Sequence, residues 1–364
     1  MTDFQTPILE VKDLSCHFVV KRDLLGRPKA KVQAVDDVSL KLMPGETLAV
    51  VGESGCGKST LGRMMMRLIE PTTGKVFLDG EDITALGHHE LRLRRRHVQL
   101  IFQDPYASLN PRMTIAQTIA EPLKLYNILP ASKRRARVDE LLSLVGLRPE
   151  QANRYPNEFS GGQRQRVVIA RALASEPKVI VCDEAVSALD VSIQSQILNL
   201  LKDLQARLGL AFIFISHDLS VVKHISDRIA VMYLGKLVEL GASAQIFAAP
   251  RHPYTRALLS SIPVAATRTI RPPASERLVG DLPSPLAPPS GCRLHTRCPH
   301  AREDCKSVPM VLEATEDGHA NACPFWRDLP VADLGLSGRE NRDPRLEALF
   351  SAFEAFAAER RATP

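Results

Sequence analysis

No apolar run in the 364-residue sequence approaches the ~18–20 residues that a membrane-spanning helix needs, so an integral-membrane helical protein is excluded. The opening residues, Met1-Thr2-Asp3-Phe4, offer neither the basic nor the apolar region of a signal peptide, which predicts a cytosolic chain. Cysteine is scarce. Of seven, Cys16, Cys56 and Cys182 are scattered singly, unlike the cysteines of a secreted disulfide framework. No internal repeat is present. The net charge of +6 is mild and suits nucleic acid or an anionic membrane face equally. Two basic runs, Leu91 to His97 and Lys133 to Arg137, lack the interleaved aromatics that stack on bases, so solvated helix faces near lipid headgroups are expected. The rest is ordinary globular material, 45% hydrophobic, long enough for one large domain and a smaller one.

What is present centres on Gly52 to Thr60, Gly-Glu-Ser-Gly-Cys-Gly-Lys-Ser-Thr. Gly52, Gly57, Lys58 and Ser59 fit the spacing G-x-x-x-x-G-K-[ST]. Thr47 to Val51 reads as a short buried strand before it, and Leu61 to Ile69 has helical apolar spacing after it. Strand, glycine-rich turn and helix form the context in which such a loop cradles phosphate. The glycines let backbone N–H groups turn inward, and the helix N-terminus adds its positive dipole end. The whole loop, Glu53, Ser54, Gly55, Cys56 and Thr60 included, is a candidate nucleotide-binding element. Lys58 can reach the β- and γ-phosphates, and the Ser59 hydroxyl can ligate Mg²⁺.

Strands are expected over residues 8–20, 34–42, 75–78, 98–102, 178–182 and 211–216, with a basic loop from Lys21 to Lys31. Residues 113–147 are helical in composition, and a helix opens at Ser160 and runs to Ala174. Strands interleaved with helices in this order predict an α/β domain with a largely parallel core sheet. Near Ser260 the composition shifts to a Pro-rich, extended segment, followed by four cysteines and a helix from about Pro344 to Arg361.

Further nucleotide chemistry lies along this frame. Val179 to Cys182 is an apolar strand ending in Asp183 and Glu184. There Asp183 can hold Mg²⁺, and Glu184 can polarise a water that attacks the γ-phosphate. Ser160-Gly161-Gly162-Gln163 opens a helix and forms a second phosphate-facing N-terminus. Gln103 and His217 each follow a strand, at the edge where α/β sheets bind ligands. Ser187-Ala188-Leu189-Asp190 lies just beyond Glu184.

The order of phosphate loop, Gln103, Ser-Gly-Gly-Gln, Val-Cys-Asp-Glu, Ser-Ala-Leu-Asp and His217 resembles an ABC transporter ATPase subunit over about residues 8–250. The resemblance implies the P-loop NTPase ABC fold: a mainly parallel core sheet, an antiparallel β subdomain and a helical subdomain. It implies an ATPase domain over 1–262, with the helical subdomain at about 104–175 and an extension over 263–364. It implies a dimer in which Ser160 to Gln163 closes over a partner's ATP. Asp190 then has a cross-dimer role, Gln103 senses γ-phosphate and contacts Mg²⁺, His217 touches the transition state, and Phe18 stacks on adenine. Phe159 and Ala185 depart from the family's usual Leu and Pro, and neither side chain carries chemistry.

Gln103-Asp104-Pro105-Tyr106-Ala107-Ser108-Leu109-Asn110-Pro111, Arg251-His252-Pro253-Tyr254-Thr255-Arg256 and Leu282-Pro283-Ser284-Pro285 narrow the resemblance to dipeptide/oligopeptide permease ATPases, closest to the second, F-type, subunit. That implies a homologous ATPase partner in a heterodimer, two transmembrane permease subunits and, indirectly, an extracytoplasmic peptide-binding protein. It also implies a place on the cytoplasmic face of the inner membrane and no nucleic-acid partner. Asp104 to Tyr126, with Tyr106, Leu109, Met113 and Ile115 expected to be exposed, is the expected docking segment for a permease helix. An ABC-type ATPase acting on nucleic acid or ribosomes, and an importer of nickel or glutathione, are the alternatives. One loop instead of two, and about 100 residues between loop and Ser160, favour transport.

Cys292, Cys298, Cys305 and Cys323 follow the spacing C-x₅-C-x₆-C-x₁₇-C. Four cysteines amid little apolar material require an organising agent. Structural zinc usually uses C-x₂₋₄-C pairs, which are missing, whereas wide spacings with Pro299 and Pro324 after two of the cysteines suit a [4Fe–4S] cluster. The resemblance points to a cluster too. His295 and His300 keep zinc open, and independent thiols are the third reading.

Overall fold

In the computed structural model, which describes residues 6–23, 28–261 and 277–330, two sheets carry the fold. The first is built on a long hairpin of β1 (Leu9–Arg22) and β2 (Pro28–Leu42), joined by β4 (Thr73–Leu78) and β5 (Glu81–Asp82) in the order β2-β1-β4-β5. All its pairings are antiparallel. Both strands of the hairpin run past their expected ends, so most of the expected basic loop is strand.

The second sheet holds the site. Its core is the parallel set β9 (Arg228–Tyr233), β3 (Thr47–Val51), β8 (Ala211–Ser216), β7 (Val179–Asp183) and β6 (Val98–Ile101). Every residue of β3, β7 and β8 is buried, as continuous apolar runs require when a sheet is covered on both faces. Against one face lies α1 (Lys58–Met65). This helix stops short of its expected end because Arg67 turns left-handed at φ 51°, and Leu68 N–H returns to the Arg63 carbonyl at 2.8 Å.

A helical layer of α3 (Ile115–Leu125), α4 (Ala131–Leu144) and α5 (Gly161–Leu173) shares the core formed by Ile119, Leu123, Leu141, Val167 and Ile169. Reciprocal capping boxes start two of these helices, at Thr114 with Gln117 and at Ser160 with Gln163. Phe159 and Ala185 are core residues, 4% and 2% exposed. The two basic runs are surface elements with matched charges. In α2 (His88–Arg94) and the turn after it, Arg94 meets Glu81 and Arg96 meets Glu176, both at 2.6 Å; in α4 Arg137 meets Glu140 at 2.7 Å.

Beyond β8 come α7 (Leu219–Ile225), β9, β10 (Lys236–Ala242), α8 (Ser243–Ala248) and α9 (Pro253–Ser260). Short strands β11 (Glu313–Ala314) and β12 (Ala320–Asn321) then add to the free edge of β10. The expected helix over 344–361 lies outside the described residues. No helix among the described residues is long and apolar enough to cross a membrane.

The seam between β10 and the later residues turns on Glu239, which is fully buried. Its carboxylate accepts from the N–H of Arg251 at 2.6 Å and of His252 at 3.1 Å, and sits 2.7 Å from His319 Nε2. Removing it strands two backbone donors and an imidazole. Glu239→Ala is therefore expected to lower unfolding stability by about 3 kcal/mol. Urea unfolding, together with limited proteolysis across residues 277–330, checks it; an unchanged midpoint contradicts the seam.

Candidate nucleotide-binding site

Because β3, β6, β7 and β8 run parallel, their carboxyl ends bring the phosphate loop, Gln103, the Asp183–Glu184 pair and His217 to one edge of the sheet. Gly57 takes φ 106°, and a Cβ there would stand 2.0 Å from the Ala34 carbonyl oxygen; at Gly52 the clash would be with the Met232 carbonyl at 2.1 Å. Both positions admit only glycine. Lys58 is 5% exposed, and its Nζ donates to the Gly52 and Glu53 carbonyls at 2.8 and 2.9 Å. Ser54 and Gly55 are exposed at the crest of the loop, and Cys56 is buried beneath it. Thr60 lies in the first turn of α1.

Ser59 Oγ donates to Asp183 Oδ1 at 2.7 Å. The two oxygens expected to hold Mg²⁺ are thus already adjacent, a hard-oxygen pair suited to that ion. Gln103 is not drawn into this pair; its Nε2 donates to Ser187 Oγ at 3.3 Å, and Ser187 Oγ donates in turn to the Glu184 carbonyl at 3.0 Å. Glu184 occupies the left-handed region at φ 53°, with its N–H bonded to the Ile215 carbonyl at 3.0 Å. Such strain at a non-glycine residue persists where neighbours over-determine it. Its carboxylate lies 3.1 Å from His217 Nδ1, so an acid–base pair faces the cleft lined by Glu184, Ser187, His217 and Asp218.

Other expected residues lie elsewhere. Ser160 caps α5, while Gly161 and Gly162 pack on Leu189 and Ile193 near the start of α6 (Val191–Leu208). Among the described residues no hydrogen bond links 160–163 to 52–60. Asp190 is the exposed N-cap of α6, and Phe18 is 42% exposed, opposite Val32 on the hairpin. In the expected docking segment, Tyr106 is 62% exposed and stacks on Arg164 at 3.9 Å. Leu109 and Ile115, expected to be exposed, are instead core residues at 5% and 0%, because they seat this segment on the helical layer.

Sequence reasoning missed two contacts to the loop. Tyr254 Oη accepts from the Glu53 N–H at 2.7 Å, and Arg297 donates to the Glu53 carboxylate at 2.8 and 3.2 Å. The run around Tyr254 was visible, but no spacing relates residues 201 and 244 positions apart.

None of the seven cysteines is in a disulfide. Cys292, Cys298, Cys305 and Cys323 line one cavity with His252, His295, His300 and apolar Leu294, Val308 and Phe325. Burial pushes the Cys292 thiol up to about 12, and its three cysteine neighbours add to the rise. No group of three or more His, Cys, Asp or Glu among the described residues is arranged to hold a metal ion. The four expected ligands thus share one cavity, without a formed metal site among the described residues.

A family model described as ABC transporter matches residues 35–187, and one described as Oligopeptide/dipeptide transporter, C-terminal region, matches residues 238–305. The chain is 52% identical over 330 residues to a probable peptide ABC transporter ATP-binding protein of Sinorhizobium fredii, covering 91% of this chain and 93% of that one. Identity is also 52% to the oligopeptide transport ATP-binding proteins AppF of Bacillus subtilis (88% and 98% covered) and OppF of Salmonella typhimurium (87% and 95% covered). Among solved structures, the dimeric post-hydrolysis state of the ATP-binding cassette MJ0796 bound to ADP and Pi superposes with a TM-score of 0.57 at 30% identity, covering 65% of this chain and 98% of that one. The cbiO1 protein of Clostridium perfringens gives 0.57 at 29% identity, covering 66% and 91%.

The tight approach at Gly57 is directly testable. Gly57→Ala is expected to cost about 2–4 kcal/mol of stability, since the clash is with backbone and the φ is left-handed. Thermal unfolding measures it, and a loss below about 0.5 kcal/mol would contradict the packing described.

Proposed function

The chain belongs to the ATP-binding proteins of peptide and oligopeptide ABC transporters, and from that premise we propose the part each residue plays in powering di- or oligopeptide import. The observation that carries the reading is the gathering of Lys58, Ser59, Asp183, Glu184 and His217 on one sheet edge, in a chain whose later part matches the oligopeptide/dipeptide C-terminal region. Lys58 and the loop's N–H groups bind the triphosphate. Ser59 and Asp183, with Gln103 at the cleft, would hold Mg²⁺, which would neutralise charge on the phosphates. Glu184 accepts the proton of the attacking water, and His217 orients its carboxylate and contacts the transferring phosphoryl group. Ser160 to Gln163 and Asp190 serve a partner's nucleotide across a dimer, and Phe18 stacks on adenine.

The partners we propose are a homologous ATPase in a heterodimer, two permease subunits received at Asp104 to Tyr126 and, indirectly, an extracytoplasmic peptide-binding protein. The place is the cytoplasmic face of the inner membrane. Peptide as cargo is supported by the named relatives and the matched C-terminal region. The nucleic-acid alternative draws no support from them. The same proposal divides the chain into an ATPase body over 1–262 and an extension over 263–364.

For the extension we propose a [4Fe–4S] cluster on Cys292, Cys298, Cys305 and Cys323, with zinc as the alternative. The support is the donor set, four thiols on one largely apolar cavity. Such a group stands apart from hydrolysis and would act in structure or redox sensing.

Two measurements test these assignments. Glu184→Gln is expected to keep ATP binding while turnover of the assembled transporter falls by about 10²-fold or more; turnover within about twofold of wild type would remove the general-base role. Anaerobic purification with iron, sulfide and zinc analysis is expected to give about four irons and four sulfides per chain. Zinc near one per chain without iron would overturn the cluster.

A further inference from the structure

Glu53 is the first variable position of the phosphate loop, where the motif makes no demand on the side chain. The structure nevertheless grips it from three sides. Its N–H donates to Tyr254 Oη at 2.7 Å, its carbonyl accepts from Lys58 Nζ at 2.9 Å, and its carboxylate takes two hydrogen bonds from Arg297 at 2.8 and 3.2 Å. Two of the three holds come from residues beyond β10, 201 and 244 positions away.

Both distant holders are fixed in their own surroundings. Tyr254 is fully buried, its ring 4.7 Å from that of Tyr233. It follows His252, whose N–H is bound by the buried Glu239. The Arg297 side chain is 11% exposed, and its Nε donates to the Gly280 carbonyl at 3.3 Å. The hydrogen bonds to Glu53 are the main reason its guanidinium is held above the ordinary arginine range. A bidentate guanidinium–carboxylate pair constrains direction as well as distance. Glu53 therefore cannot rotate without breaking bonds to three different parts of the chain.

We propose that Arg297 is a positioning residue for the nucleotide site: it holds Glu53, and through Glu53 the peptide that anchors Lys58, so that the cysteine-bearing extension sets the loop's affinity for a nucleoside triphosphate. The physical basis is preorganisation. A loop already fixed at its first variable residue gives up less freedom when phosphate binds. The inference rests on nucleotide binding at the phosphate loop and is independent of the cargo and of any group in the cysteine cavity.

The experiment compares full-length wild type with Arg297→Ala, Arg297→Lys, Glu53→Gln and the Arg297→Ala/Glu53→Gln double variant. A fluorescent ATP analogue gives Kd, and steady-state hydrolysis gives KM and kcat. Arg297→Ala is expected to raise Kd and KM about five- to tenfold with kcat within about twofold, and Arg297→Lys to recover part of the loss. The double variant is expected to be no weaker than Arg297→Ala alone, because both changes break one contact. Nucleotide-free thermal unfolding monitors the extension. Should Arg297→Ala unfold it, Glu53→Gln carries the test from the ATPase side, with an expected loss of about threefold or more. Wild-type Kd in Glu53→Gln and in a folded Arg297→Ala overturns the proposal, as does a double variant whose losses multiply. A wild-type chain that fails to bind the analogue overturns the phosphate-loop reading, and the inference falls with it.

Discussion

Two backbone contacts with no room for a side chain join the main parts of the molecule. Gly57 closes on the Ala34 carbonyl of β2, and Gly52 on the Met232 carbonyl of β9. The turn after β9 completes the junction: Asp36 N–H reaches the Gly235 carbonyl at 2.8 Å, and Gly235 N–H reaches the Cys56 carbonyl at 2.9 Å. The antiparallel sheet, the parallel sheet and the phosphate loop therefore meet at one place. Glycine is demanded there twice over, once for phosphate to approach the backbone and once for the two sheets to approach each other.

From that junction the chemistry follows the sheet edge. Parallel strands all deliver their carboxyl ends to the same side, so residues far apart in sequence converge without a special device. Glu184 shows what the convergence costs. Its left-handed backbone, tied to the Ile215 carbonyl, points the carboxylate back toward His217 instead of outward along the strand. The Ser187 hydroxyl, donating to the Glu184 carbonyl and accepting from Gln103, links the end of β6 to the same peptide. A hydrogen-bonded path thus runs from Gln103, at the head of the proposed docking segment, to the main-chain carbonyl of Glu184.

Much of this was legible in the sequence because it rests on local rules. The buried runs 47–51 and 211–216 are strands over those same residues. The Ser160–Gln163 signal is a capping box at the start of a helix, as its residue types require. The phosphate loop and its partners Ser59 and Asp183 could be read because strand order, not fine packing, places them together. What could not be read depends on non-local pairing. The extension of β1 to Arg22 comes from its partner β2, not from the intrinsic preference of a basic segment. Leu109 and Ile115 look like exposed residues in a Pro-rich frame until the helical layer covers them. The grip on Glu53 comes from residues more than 200 positions later, and no periodicity encodes such a distance.

The residues beyond β10 are fastened in two ways, by an apolar cluster in which Tyr254, Leu294, Met310 and Ala322 meet Val51, Val231 and Tyr233, and by directed polar contacts. Three arginines supply the directed contacts. Arg251 binds Asp317 and the His319 carbonyl, and stacks on Trp326 at 4.4 Å. Arg293 reaches the Leu234 carbonyl, Gln33 and Asp36, and Arg297 reaches Glu53. Each guanidinium uses its fixed fork to satisfy acceptors on separate elements, which a lysine ammonium could not match in direction. These side chains are largely buried, so an acceptor lost on one side leaves charge stranded on the other. A hydrophobic interface can slide by small steps, because dispersion contacts are many and interchangeable. A charge pair of fixed direction is either made or broken. The apolar cluster around Tyr233 can therefore give by small steps, whereas the Arg297–Glu53 pair ties the cysteine-bearing segment directly to the phosphate loop.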